Sequence, residues 1–342
     1  MNSESEIVAG IDNKAPVSAN RILMGTAIRV GFWLLLFAAF YFAFEEIGRN
    51  WTAVVAGAMR IPTWRVGLSV VLATIGFSLV PLSLKIVYED LSNFQSVSIT
   101  RIFGAYHVAN FFRYVPGKVA VPIYLMQFSG LERALVLQSL VTTVFHSVLV
   151  GGFTIVALIL SATTEAMMNP KAFLWLLPLF VFVHPKVMAG SLTLLLRIAK
   201  RDKAQSIAPV SANAWLKSFF IMLGSWIAVG FSFQVLVSSY RELGFMEAAV
   251  CVFAYPASFV VGFAVLFAPA GLGVREGMLT WLLTVPVPIS ADNTLVTATA
   301  LMVVFLHRVI VTFADVALLA IGYLLLRPFL PSARTTSDAE AN

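Results

Sequence analysis

Phe267-Ala268-Pro269-Ala270-Gly271-Leu272-Gly273-Val274-Arg275-Glu276-Gly277 interrupts an otherwise apolar stretch of this chain. About 20 apolar or small residues, the length of one membrane crossing, precede it, and another apolar segment follows. One proline and three glycines oppose a regular helix here, and Arg275 and Glu276 put two opposite charges beside them. Irregular backbone at membrane depth is tolerated where it is buried in protein or lines a cavity. Charges at that depth are costly and mark function. The run therefore points both to a membrane fold and to the place in it where something is bound or moved.

The composition supports the membrane reading. Of 342 residues, 59% are hydrophobic and only 12% charged, whereas a soluble domain carries about 25% charged residues. The apolar runs are long and do not alternate, so the fold class is all-α, a polytopic helix bundle rather than a barrel. The single cysteine, Cys251, excludes an internal disulfide framework. A net charge of +6 would point to nucleic acid in a soluble protein. Here it marks the cytoplasmic side and the anionic lipid surface, and no nucleic-acid partner is expected.

Residues 1–20 are polar and of mixed charge, and the first apolar run begins near Ala27. That is too late and too long for a cleaved signal core, so it reads as an uncleaved first span. Candidate spans are 27–44, 66–84, 135–160, 172–196, 215–238, 246–267, a short one at 277–287, and 294–326. This makes about 8 transmembrane helices with the seventh half-formed, each long one near the length that crosses a bilayer. Pro178 and His184-Pro185 kink or split the fourth. One integral membrane domain, 21–328, then lies between a polar tail, 1–20, and a disordered tail, 329–342. Among the 23 Lys and Arg residues, only Arg49, Arg60, Arg65, Lys171 and Arg241 fall on outer connections when the N-terminus is cytoplasmic. The bias places both termini inside, with Arg275 counted on an inner connection.

A second break lies at Tyr114-Val115-Pro116-Gly117-Lys118. Residues 100–113 read as a helix carrying His107, Asn110 and Arg113 on neighbouring positions of one face. Pro116-Gly117 ends it, and a second short helix starts near Lys118. The free N–H groups of such a start, with Lys118 and Arg113 alongside, suit a phosphate. Paired interrupted elements, one in each half, are a sequence pointer to a membrane transport site. The competing reading makes both breaks interfacial loops whose basic residues only set orientation.

Both breaks resemble signatures of one family. Tyr114-Val115-Pro116-Gly117-Lys118 is similar to the Tyr-Ile-Pro-Gly-Lys element of the lysylphosphatidylglycerol synthase transmembrane-region family, the flippase-like membrane proteins. Pro269 to Gly277 resembles that family's Pro-Gly-Gly-Leu-Gly-x-Arg-Glu-Gly, with Ala270 in place of a glycine. The resemblance spans roughly residues 20–328 and implies an inner-membrane protein that flips or delivers a lipid with a charged or glycosylated head. Full-length synthases continue into a soluble aminoacyl-transferase domain. This chain stops at Asn342, so the resemblance points to the flippase half and not to an enzyme. Where many members carry an acidic residue after the first motif, this chain has Phe145-His146.

The expected substrate-binding residues are Asn110, Arg113, Pro116, Gly117, Lys118, Pro269, Gly271, Gly273, Arg275, Glu276 and Arg308. Adjacent on a helix, Arg275 and Glu276 point about 100° apart, so they serve different partners. Arg308 and Asp315, seven residues apart in the last span, share a face. They form a structural pair or line the head-group path. His107, His146, His184 and His307 are dispersed, no metal-binding spacing exists, and neither a metal nor another cofactor is expected. No nucleotide-binding or serine-hydrolase motif is present.

The expected function is a lipid flippase or lipid-head-group transporter in cell-envelope synthesis. Its partners are a membrane phospholipid or lipid-linked glycan, and envelope-biosynthesis enzymes. One rival is a membrane glycosyltransferase or other lipid-modifying enzyme using Glu45-Glu46 or Glu89-Asp90. The other is a non-transporting scaffold for a glycan-synthesis complex.

Overall fold

The computed structural model describes residues 59–114, 120–162, 209–265, 271–285, 287–289 and 296–329, with isolated positions 48, 52, 55, 184, 186, 187 and 190. All fall in the unit spanning Glu45–Asn342. Among them all regular structure is helical. In chain order the helices are α1 (Thr63–Leu91), α2 (Ile99–Asn110), α3 (Ala120–Ser129), α4 (Arg133–Ala162), α5 (Ala212–Val237), α6 (Phe245–Ala264), α7 (Val274–Thr284) and α8 (Val296–Leu326). Short 3-10 turns follow α2 (Phe111–Tyr114) and α8 (Arg327–Phe329). Five of these helices, α1, α4, α5, α6 and α8, are long and apolar enough to cross a membrane. The expected spans 27–44 and 172–196 lie outside the described residues.

α1 and α5 run antiparallel along a seam with a seven-residue repeat. Ser69, Gly76 and Ser83 of α1 face Ser232, Ser225 and Ser218 of α5. The Ser69 and Ser232 hydroxyls lie 2.9 Å apart, and those of Ser83 and Ser218 lie 2.7 Å apart. Between them the Ser225 hydroxyl donates to the Gly76 carbonyl at 2.7 Å. A side chain at Gly76 would place its Cβ 2.8 Å from the Ser225 carbonyl oxygen, so glycine sets the closeness of the helices. Ala73, Val80 and Val87 are buried on α1, as are Val229, Met222 and Trp215 on α5. A repeat of seven selects a left-handed, shallow crossing. Lipid tails are as apolar as leucine, so close approach and interhelical hydroxyl bonds carry such a contact.

Polar pairs close the seam at both ends. At one end the Arg65 guanidinium donates to Ser238 Oγ (3.1 Å) and Ser239 Oγ (3.3 Å). At the other the Asp90 carboxylate accepts from the Ser211 amide (2.8 Å) and hydroxyl, and that hydroxyl in turn caps α5. These contacts define an Arg65 end and an Asp90 end of the bundle.

Two hairpins enter from opposite ends. α2 and α3 form the first. The Arg101 side chain near the start of α2 donates to the Ser129 carbonyl (2.6 Å) and the Gly130 carbonyl (3.0 Å) at the end of α3. Both bases sit at the Asp90 end, where Glu89 accepts from the Val97 amide and the Glu132 amide donates to Tyr88 Oη. Phe112 stacks on Tyr124 at 3.7 Å, joining the two arms near the tip. The expected helix over 100–113 is therefore present as α2 and its 3-10 turn.

α6 and α7 form the second hairpin. α6 begins at the Arg65 end, where Arg241 pairs with Glu247. α8 begins there too, because Tyr240 Oη lies 3.7 Å from Met302 Sδ. The chain therefore enters through α6 and is back at the same end by the start of α8. α8 then traverses to the Asp90 end, where Arg101 lies over the Phe329 ring at 5.7 Å.

Glycines allow the close crossings around the hairpins. A Cβ on Gly104 of α2 would meet the Gly322 carbonyl of α8 at 2.6 Å. Gly151 of α4 lies as closely against the Pro256 carbonyl of α6. Pro256 has no N–H for the Val252 carbonyl, and Gly230 of α5 packs against that carbonyl instead.

Replacing Gly76 by leucine is expected to wedge the seam apart, costing about 1–3 kcal/mol. Thermal unfolding in detergent micelles checks this. A midpoint equal to wild type contradicts the close contact.

Candidate functional site

The tip of the first hairpin carries Arg113. Its guanidinium pairs with Asp315 of α8 and lies 5.8 Å from the centre of the Phe77 ring. Phe77 is at the middle of the 29-residue α1, so the tip reaches the centre of the bundle. An interfacial loop would have stayed at the Asp90 end. Asn110 closes α2 half-buried, and His107 is buried beside the rings of Phe103 and Tyr106. Pro116, Gly117 and Lys118 lie outside the described residues.

The second tip is shaped by glycine. Gly271 and Gly273 have φ of +71° and +80°, a backbone that other residues resist. Gly273 is the N-cap of α7, and its amide donates to Glu276 Oε2 at 2.7 Å. The carboxylate thus satisfies a helix-start N–H and faces the positive end of the helix dipole. Its other oxygen, Oε1, lies 3.5 Å from Arg308 Nε of α8. Pro269 lies outside the described residues.

Arg275 points elsewhere, as the angular offset from Glu276 requires. Its guanidinium sits 4.8 Å over the Phe259 ring of α6. A Cβ on Gly262 would meet Arg275 Cγ at 2.7 Å, and one on Gly271 would meet its Nε at 2.8 Å. The two glycines leave room for this side chain. Phe259 also packs on Trp226, near the middle of α5, with ring centres 4.8 Å apart. Arg275 is therefore also central, and neither it nor Arg113 belongs to a cytoplasmic connection. The count of inner basic residues loses both.

α8 receives both tips on one stripe. Arg308 and Asp315 do not pair with each other; Arg308 holds Glu276 and Asp315 holds Arg113. Tyr255 of α6 lies within electrostatic reach of Arg275, Arg308, Arg113 and Asp315. Arg275 is likewise within reach of Arg113, Arg308 and Glu276. Among the described residues the cluster holds three guanidinium groups and two carboxylates. Arg113 and Arg308 each have a carboxylate, whereas Arg275 is held by a ring and two glycines. Arg275 Nε and Arg308 Nη2 are buried without a hydrogen-bond partner among the described residues.

Two histidines brace the seam. The fully buried His307 places Nε2 3.0 Å from Ser232 Oγ and packs edge-on against Tyr255 and Phe233. His146 of α4 places Nδ1 3.0 Å from Ser218 Oγ, and its ring meets Trp215. No group of three or more His, Cys, Asp or Glu among the described residues is placed to hold a metal.

Tyr255, Phe259 and Gly262 were not among the expected site residues. One aromatic every four residues at Tyr255, Phe259 and Phe263 was the signal for them, but it reads equally well as a packing face. Glu89 and Asp90 have structural partners: Glu89 accepts from Lys85 Nζ at 2.5 Å and from the Val97 amide, and Asp90 accepts from Ser211. Glu45-Glu46 lie outside the described residues. No protein-family model matches this chain, and no curated protein matches it.

Replacing Asp315 by alanine removes the carboxylate from a side chain only 6% exposed and leaves Arg113 without it. The expected cost is about 3 kcal/mol, and the Arg113→Leu/Asp315→Leu double variant should recover much of it. Unfolding midpoints of the single and double variants measure the coupling. Additive losses contradict a coupled pair.

Proposed function

We propose that this protein is a multi-pass membrane transporter that carries an anionic, phosphate-bearing lipid head through the centre of its helix bundle. The observation that carries the reading is Arg275. A guanidinium is held at mid-bundle, on an aromatic ring and between two glycines, in a cluster with one more cation than carboxylate among the described residues. A half-buried guanidinium with no carboxylate beside it among the described residues is costly, and an anionic ligand supplies the counter-charge. Buried donors on Arg275 and Arg308 suit phosphate oxygens.

The arrangement also suits transport. Discontinuous elements meeting near the midplane are how membrane carriers build binding sites. In this reading the head group enters between the two hairpins and its phosphate lies against Arg275, with Arg113 and Arg308 completing the field. The acyl or isoprenoid tails remain in lipid. Lys118, Pro116-Gly117 and Pro269 belong to the same two tips in sequence. The likeness of both breaks to the lysylphosphatidylglycerol synthase transmembrane region supports a flippase-type activity. It also supports an inner-membrane location with both termini cytoplasmic, which makes the Arg65 end the outer one. The carboxylates of Glu89 and Asp90, needed by the enzymatic alternative, are occupied in holding the Asp90 end of the bundle.

Reconstitution into vesicles containing head-labelled phosphatidylglycerol, with quenching of the label from outside, measures translocation. Arg275→Gln is expected to slow it about 10- to 100-fold, the worth of one charge-assisted contact. The equally placed but lipid-facing substitution Val309→Ala should leave the rate unchanged. Wild-type rates in Arg275→Gln overturn the reading.

A further inference from the structure

Residues 63–162 and 212–326 have the same order of parts: a long helix, a hairpin and a closing long helix. The directions are reversed. α1 runs to the Asp90 end, the first hairpin enters there, and α4 returns. α5 runs to the Arg65 end, the second hairpin enters there, and α8 returns.

The seam fixes the relation between the two units. Exchanging them carries Ser69, Gly76 and Ser83 onto Ser218, Ser225 and Ser232. The contact of Ser69 with Ser232 then becomes the contact of Ser218 with Ser83, and both are present. The Gly76–Ser225 contact maps onto itself, so the axis passes through it. The ends correspond as well. Tyr88 at the end of α1 meets the chain entering α4, and Tyr240 just past α5 meets the start of α8. The first helix of each hairpin packs closely on the closing helix of the other unit, at Gly104–Gly322 and at Gly151–Pro256. The closing helices also meet equivalent serines, Thr143 of α4 at Ser83 and His307 of α8 at Ser232.

We infer that the two stretches are inverted copies of one structural unit, and that the protein has a second conformation in which the hairpins exchange their settings about a fixed α1–α5 seam. Inverted repeats that rock one against the other about a fixed site are how membrane carriers alternate access. The settings are unequal because α8 carries Arg308 and Asp315. Aligned on the contacts of Thr143 with Ser83 and of His307 with Ser232, α4 carries Val144 and Gly151 at those positions, neither of them charged. The seam is held by hydroxyls, a glycine and closed polar ends, and it is the part that does not move. This inference does not depend on which ligand Arg275 takes.

Spin-label distances test it in vesicles of phosphatidylethanolamine and phosphatidylglycerol, with Cys251→Ser as background. Lipid-facing pairs at Val71 and Phe231 report the seam. Val71 with Ile123 reports the first hairpin, and Phe231 with Trp281 the second. Two distance populations are expected for each hairpin pair and one for the seam pair. Gly104→Ala, which crowds the first hairpin off α8, should shift both hairpin pairs together, and Gly151→Ala should shift them the opposite way. Single, unmoved hairpin distances in all three backgrounds overturn the inference, as does a seam distance that splits. Arg275→Gln losing lipid translocation or keeping it bears on the ligand alone and leaves these distances unchanged.

Discussion

The close antiparallel contact of α1 with α5 is the constraint on which the other elements depend. A bilayer gives no hydrophobic reason for two apolar helices to prefer each other over lipid. Here the preference comes from a glycine that permits close approach and serines spaced by seven, with polar locks at both ends. Once that pair is fixed, its two ends set where each hairpin enters. The histidines of α4 and α8 then tie the closing helices to the same serines.

On this frame the charged residues become affordable because each has a structural answer. Glu276 both caps α7 and holds Arg308, while Asp315 holds Arg113. Among the described residues, the left-handed backbone at Gly271 and Gly273 lies against protein, with Arg275 beside the one and Glu276 on the amide of the other, as the hydrocarbon interior demands. Arg275 is held differently from the other two arginines. Its side chain is positioned by Gly262, Gly271 and Phe259, and its charge has no dedicated carboxylate among the described residues.

Much of this was legible in the sequence, and for physical reasons. Apolar length gave the long helices, because the bilayer fixes it. Proline, glycine and charge inside apolar runs located both tips. The adjacency of Arg275 and Glu276 correctly implied separate partners. Depth was not legible. Counting Arg275 and Arg113 as inner-side charges follows the usual loop rule, and only Phe77 and Phe259 beside their guanidiniums place them at mid-bundle. The partners of Arg308 and Asp315 were equally hidden: their spacing of seven allowed a pair within one helix, and tertiary contacts with two different hairpins decided otherwise. The repeated serines of α1 and α5 were plain in the sequence, yet single hydroxyls in apolar helices carry no signal until two helices are compared in opposite directions.

Two hairpins from opposite ends bring their tips to the middle of the bundle. Membrane depth by power-saturation electron paramagnetic resonance tests it directly, using single spin labels at Phe111→Cys and Gly277→Cys in the Cys251→Ser background. Both positions are exposed beside the tips. The account requires both labels to report high oxygen and low aqueous-reagent accessibility, at depths near the bilayer centre. Labels reporting head-group depth, one at each face or both at one, would contradict it.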